Sequence, residues 1–129
     1  MFDIPIVLFI FKRLKVVEIV NQISKVKPKK IYIIGDGPRN FEEKEQVLKC
    51  RKIIENSIDW ECEIIKNYAE KNRGVYGNIA LGAKWVFERE QNAIFLEDDN
   101  FPEITFFEFC KQMLEKYENE EQSEKCLTL

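Results

Sequence analysis

The segment Ile4-Pro5-Ile6-Val7-Leu8-Phe9-Ile10-Phe11 is apolar at every position. A strand built from it has no face suited to water. Such strands sit in the middle of a parallel sheet with helices laid over both sides. The residues that follow supply those helices. Leu14 to Ser24 reads as a helix, because Val16, Ile19, Val20 and Ile23 recur at helical spacing on one face. Ile31-Tyr32-Ile33-Ile34 reads as a second buried strand, stopped by the turn-forming run Gly35-Asp36-Gly37-Pro38-Arg39. Glu42 to Asn56 predicts a helix with Val47, Cys50, Ile53 and Ile54 as its apolar stripe. Trp60 to Ile65 predicts a third strand. There Glu61 and Glu63 alternate with Cys62 and Ile64, which suits an edge. Val75 to Glu90 predicts a helix, Ala93 to Leu96 a fourth strand, and Pro102 the first turn of a last helix carrying Phe106, Phe107 and Cys110.

Alternation of strand and helix predicts an α/β fold, with a mainly parallel four-stranded sheet flanked by helices. The chain of 129 residues has the length of one domain. Residues 1–117 hold the periodic pattern, and 118–129 read as an acidic tail expected to fray. A hydrophobic share of 45%, with ten Phe, is enough for one core.

Composition narrows the chemistry. The chain has no His, which removes the commonest general base and the commonest metal ligand. A net charge of −3 argues against a nucleic-acid partner. Cys50, Cys62, Cys110 and Cys126 form no C-x-x-C pair, so zinc is disfavoured. They read as packed free thiols in a reducing, cytoplasmic setting. The longest apolar run is too short to cross a bilayer and lacks the basic lead of a signal peptide.

Ligands of open parallel sheets lie beyond the carboxyl ends of the strands. In this chain those ends are followed by Lys12 and Arg13, by Asp36 and Arg39, by Asn72-Arg73-Gly74, and by Glu97-Asp98-Asp99. Three adjacent acids repel unless a cation offsets them, and Mg²⁺ takes one or two carboxylates with waters and phosphate oxygens. In an extended segment Glu97 and Asp99 would face one side and Asp98 the other. Taken alone, the three acids read as a solvated turn, because acidic turns are common. Their place after a buried strand, opposite two Arg-bearing loops, favours a site. Asp36 lies between glycines that permit close approach, though a plain turn explains it as well. Arg13, Arg39 and Arg73 suit phosphate oxygens, and Gly74 precedes helical N–H groups open to an anion. Trp60, Trp85 and the cysteines read as core.

Taken in order, Pro5-Ile6-Val7-Leu8-Phe9 with Arg13, Ile33-Ile34-Gly35-Asp36-Gly37-Pro38-Arg39, Asn72-Arg73-Gly74, and Ile94-Phe95-Leu96-Glu97-Asp98-Asp99 with Pro102 resemble a known family. They resemble bacterial nucleotide-diphospho-sugar glycosyltransferases of the GT-A fold, closest to the family 2-like group, over roughly residues 4–117. The resemblance implies a Rossmann-like nucleotide-binding half. It implies that Phe9, Phe11 and Asp36 hold the nucleoside, with Asn72 and Gly74 beside them. Arg13 and Arg39 would lie near the base or diphosphate. Asp98 would approach the ribose, and Asp99 with Glu97 would hold Mn²⁺ or Mg²⁺ against the diphosphate of a UDP- or GDP-sugar, as in D-x-D motifs.

Phe11-Lys12-Arg13-Leu14 departs from the Asn-Arg-Pro common in such relatives. The family also continues into strands that bind acceptor and supply a catalytic base. This sequence reaches Leu129 with no candidate for that base, so the resemblance is to a truncated donor-binding half. The alternative expectation is a catalytically inactive α/β module whose exposed sheet edge pairs with another chain, including a second copy. A receiver-like phospho-acceptor domain is disfavoured, because Lys12 and Arg13 stand where its acids belong.

Overall fold

The computed structural model describes residues 2–116 and 125–128. The elements run β1 (Ile6–Ile10), α1 (Val16–Ile23), β2 (Lys30–Gly35), α2 (Phe41–Ser57), β3 (Glu63–Tyr68), α3 (Val75–Phe87), β4 (Asn92–Glu97), α4 (Ile104–Lys116) and β5 (Lys125–Thr128). The α/β reading holds. The sheet order is β3-β2-β1-β4-β5, and every pairing is parallel.

β1 lies at the centre and all five of its residues are buried. Leu8 stands in register with Ile33 of β2 and Leu96 of β4. Its alternate side chains divide between two cores. Ile6, Leu8 and Ile10 join Val16, Ile19 and Ile23 of α1, Cys50 and Ile54 of α2, and Phe107 and Leu114 of α4. Val7 and Phe9 join Tyr32, Ile34, Phe95 and Val86 on the opposite side, where α3 lies. The helices α1, α2 and α4 therefore cover one face and α3 the other.

Two elements, β3 and α3, depart by three residues from the bounds the apolar pattern predicts. β3 begins and ends about three residues later than Trp60 to Ile65. The Trp60 indole N–H donates to the Pro28 carbonyl at 3.0 Å, which anchors the approach to the strand instead of its interior. The strand then continues through Lys66-Asn67-Tyr68, whose polarity hid it. The Lys66 ammonium and the Tyr68 hydroxyl both reach Glu55 on α2, at 3.0 and 2.9 Å. α3 stops at Phe87, short of Glu90. The Glu90 carboxylate is drawn back to the sheet by Lys30 and by the hydroxyl of the fully buried Tyr32.

A fifth strand adds to the four expected. Residues 117–124 of the acidic segment lie outside the described residues. Lys125–Thr128, read from sequence as frayed tail, instead pairs with β4 from Asn92 to Phe95. The outer N–H and C=O groups of β4 need partners, and a short parallel strand supplies them.

α3 lies close enough to the sheet that a side chain at Gly82 has no room. A Cβ there would stand 2.8 Å from Ile34 Cγ2 and 2.9 Å from Phe9 Cε1. Gly82→Val is expected to destabilise the fold by about 1–3 kcal/mol through overpacking. Denaturant unfolding against the wild type measures it; an unchanged midpoint would refute the close contact.

Candidate functional site

From β1 the chain moves outward to β2 and β3, then crosses back over the sheet to β4 on the other side. The connections leave β1 and β4 in opposite directions, and a crevice opens beyond their carboxyl ends. A cleft of about 340 Å³ lies there. Phe9, Phe11 and Arg13 line it from the end of β1, and Asp36 and Arg39 from the turn after β2. Asn72 and Gly74 line it from the loop after β3, and Glu97 and Asp98 from the end of β4. Nine of the residues singled out from the sequence thus border one cavity, while Lys12, Arg73 and Asp99 do not. Asp99 lies outside it, in an adjoining groove bordered by Arg13, Asp98, Asn100 and Phe101.

Asp36 joins two of the loops. Its buried carboxylate accepts the Gly37 N–H at 2.8 Å and the Arg73 N–H at 2.7 Å on Oδ1, and the Asn72 amide at 3.2 Å on Oδ2. Asn72 also donates to the Gly37 carbonyl at 2.9 Å. Gly37 suits this seam because a Cβ there would stand 2.6 Å from the Lys71 carbonyl carbon. A carboxylate offers about four acceptor positions, so Oδ2 keeps room for one further donor.

Arg39 does not stand free. Its guanidinium forks onto Glu43, with Nε 3.0 Å from Oε1 and 3.2 Å from Oε2, and its own backbone N–H reaches Oε1 at 2.9 Å. Lys12 adds its ammonium to the same carboxylate at 2.7 Å. Both cations also stand near the Phe11 ring, 5.6 and 5.7 Å from its centroid. Glu43 therefore ties the end of β1 to the turn after β2. Arg39, chiefly, and Lys12 hold its carboxyl far below the usual range. The sequence reading passed over Glu43. The signal was Asn40-x-x-Glu43, a capping pattern, and Asn40 Oδ1 does cap α2 by accepting the Glu43 N–H at 3.0 Å.

At the end of β4 the extended backbone stops at Glu97 and a tight turn begins. The Asn100 N–H donates to the Glu97 carbonyl at 3.1 Å, and the Glu97 N–H to Asn100 Oδ1 at 3.0 Å. The strand-like alternation expected for the three acids therefore ends at Glu97. Glu97 and Asp98 border the cleft, and Asp99 borders the groove beside it. Asp98 is half-buried and lies 3.9 Å from the Arg13 Nε. Burial raises its carboxyl above the usual value, opposed by Arg13 and by the Phe11 N–H. Glu97 and Asp99 are exposed. Among the described residues no three acidic or thiol groups converge as a metal cage. Glu97 and Asp99 are thus two exposed carboxylates on neighbouring cavities, the type of oxygen donor that a hard divalent ion takes.

α3 starts at the cleft without a side-chain cap. Gly74, at φ +82°, turns the chain into the helix, and its N–H donates to Asn72 Oδ1 at 3.0 Å. The following N–H groups are the uncompensated donors of a helix start. Arg73 is turned away, with Nη2 3.3 Å from Asn67 Oδ1. Val75, Asn78 and Ile79 of α3 complete this wall, and the sequence reading named none of them as site residues. Trp85 rests edge-on against Tyr32, with Arg89 over its face, and does not line the cleft. Comparison with protein-family models, curated proteins and solved structures finds no match.

Glu43 gives a pH test. Its folded-state carboxyl is depressed from an ordinary 4.5, so its stabilisation is complete above that value and lost as pH falls below it. Glu43→Gln is expected to lower the urea midpoint at neutral pH, with the gap to wild type narrowing below pH 4.5. A gap that stays constant down to about pH 3 would contradict the ion-pair assignment.

Proposed function

We propose that the cleft binds a nucleotide-diphospho-sugar, a UDP- or GDP-sugar, with a divalent ion at Glu97 and Asp99, as the donor-binding part of a glycosyltransferase. One observation carries the reading. Carboxylate, guanidinium and helix-start donors from the ends of β1, β2, β3 and β4 converge on one crevice at the switch point between β1 and β4. The cavity falls at the lower end of the range for small-molecule sites, about 300–1,000 Å³, and suits a nucleoside.

Each group then has a task. Phe9 and Phe11 offer apolar surface to the base, and Asp36 offers its remaining acceptor. Asp98 accepts from a ribose hydroxyl. Arg13 and the donors that Arg39 does not spend on Glu43 face the diphosphate. Mn²⁺ or Mg²⁺, when bound, would neutralise charge on the departing nucleoside diphosphate. No residue is assigned as the base that activates an acceptor.

Calorimetric titration of UDP and GDP, with and without Mn²⁺, tests this. Saturable binding should depend on Mn²⁺. Asp99→Ala should weaken the Mn²⁺-supported affinity about tenfold or more and leave the metal-free affinity unchanged. A folded chain that takes up neither nucleotide would leave the scaffold alone, and with it the inactive-module reading.

A further inference from the structure

Asn78, on the α3 wall of the cleft, holds an orphaned acceptor. Asn78 stands in the second turn of α3, its backbone N–H bonded to the Gly74 carbonyl at 2.9 Å. The residue is only 5% exposed and borders the cleft. Its Oδ1 is closed off from solvent and has no hydrogen-bond partner. A buried carbonyl left unpaired costs stability, and folding alone gives no return for it. The residues next on the same helix face are Gly82, Ala83 and Val86, and Ile79 is its neighbour in sequence, so packing against the sheet would be served equally by an apolar side chain here.

On this side of the cleft Asp36 and Asn72 are spent largely on each other and on the backbone. Asn78 keeps its acceptor unused. Beside it Phe9, Val75 and Ile79 give the cavity an apolar wall suited to a flat ring. The terminal torsion of Asn is broad, so rotation of the amide can carry the carbonyl to the cleft side. We infer that Asn78 is a specificity-determining residue, its carbonyl accepting a hydrogen bond from a donor on the bound nucleoside, either a base N–H or a ribose hydroxyl. This rests on the nucleotide reading above. Sites built to bond such a group reject analogues that lack it, because the buried partner is then stranded.

The test is a paired measurement on Asn78→Leu, which keeps the branched heavy-atom shape and removes the amide. The variant should melt at or above the wild-type temperature and bind UDP or GDP about tenfold or more weakly. Either the 2′-deoxy or the base-N-methylated diphosphate should show that loss already in the wild type, with no further loss in the variant, and the one that does identifies the donor. If Asn78→Leu does not fold, Asn78→Ala removes the same carbonyl without adding bulk and is read in its place. Unchanged affinity overturns the inference and leaves the nucleotide reading standing. A loss of affinity that comes only with a large fall in melting temperature overturns it too, since that marks a structural residue. A wild type that binds neither diphosphate ends the nucleotide reading, and this inference with it.

Discussion

Strand β1 has no exposed face, and the rest of the architecture follows from covering it. Its side chains alternate between two apolar layers, so helices are needed on both sides of the sheet. With α1 and α2 on one face, the chain reaches the other only by a crossover over the sheet, which α3 provides. That crossover carries β4 to the far side of β1. The reversal of direction opens a crevice above the middle of the sheet. Burial of apolar area, which drives folding, therefore also decides where a ligand could sit.

Charge arranges the rim of that crevice. Asp36 and Glu43 are both buried, and both are satisfied from more than one segment. Asp36 joins the turn after β2 to the loop after β3, and Glu43 joins that turn to the end of β1. A buried carboxylate without partners would be costly, so these pairings hold the loops in place as well as supplying polar groups. Arg51 reinforces the same region from α2, with its guanidinium on the Tyr68 ring and Nη2 donating to the Asp36 and Ala69 carbonyls at 3.1 and 2.9 Å. The thiols contribute by packing. Burial pushes Cys50 up to about 12 and Cys110 up to about 11, which keeps both protonated and unreactive.

Much of the fold was legible because its signals are local. Apolar runs of four to eight residues and helical stripes depend only on spacing along the chain, and they located all four main strands. The clustering of polar residues at strand ends was legible for the same reason, once a parallel sheet was inferred. The misplaced boundaries share a different cause. β3 extends through Lys66, Asn67 and Tyr68 because Glu55, distant in sequence, receives two of their side chains. Lys125–Thr128 is a strand because β4 offers it an open edge. The alternation read into Glu97-Asp98-Asp99 fails because Asn100 closes a turn on the backbone there.

By itself the sequence determined the order of the elements, the burial of β1 and the set of polar residues at the strand ends. Each of these is a property of spacing and side-chain chemistry. Only the tertiary structure decided which of those residues share a cavity and which are already engaged. Arg39 and Lys12 proved to be tied to Glu43, Asp99 to lie in a neighbouring groove, and Asn78 to hold an unpaired acceptor. Those outcomes depend on hydrogen bonds and contacts between segments far apart along the chain, which residue spacing does not encode.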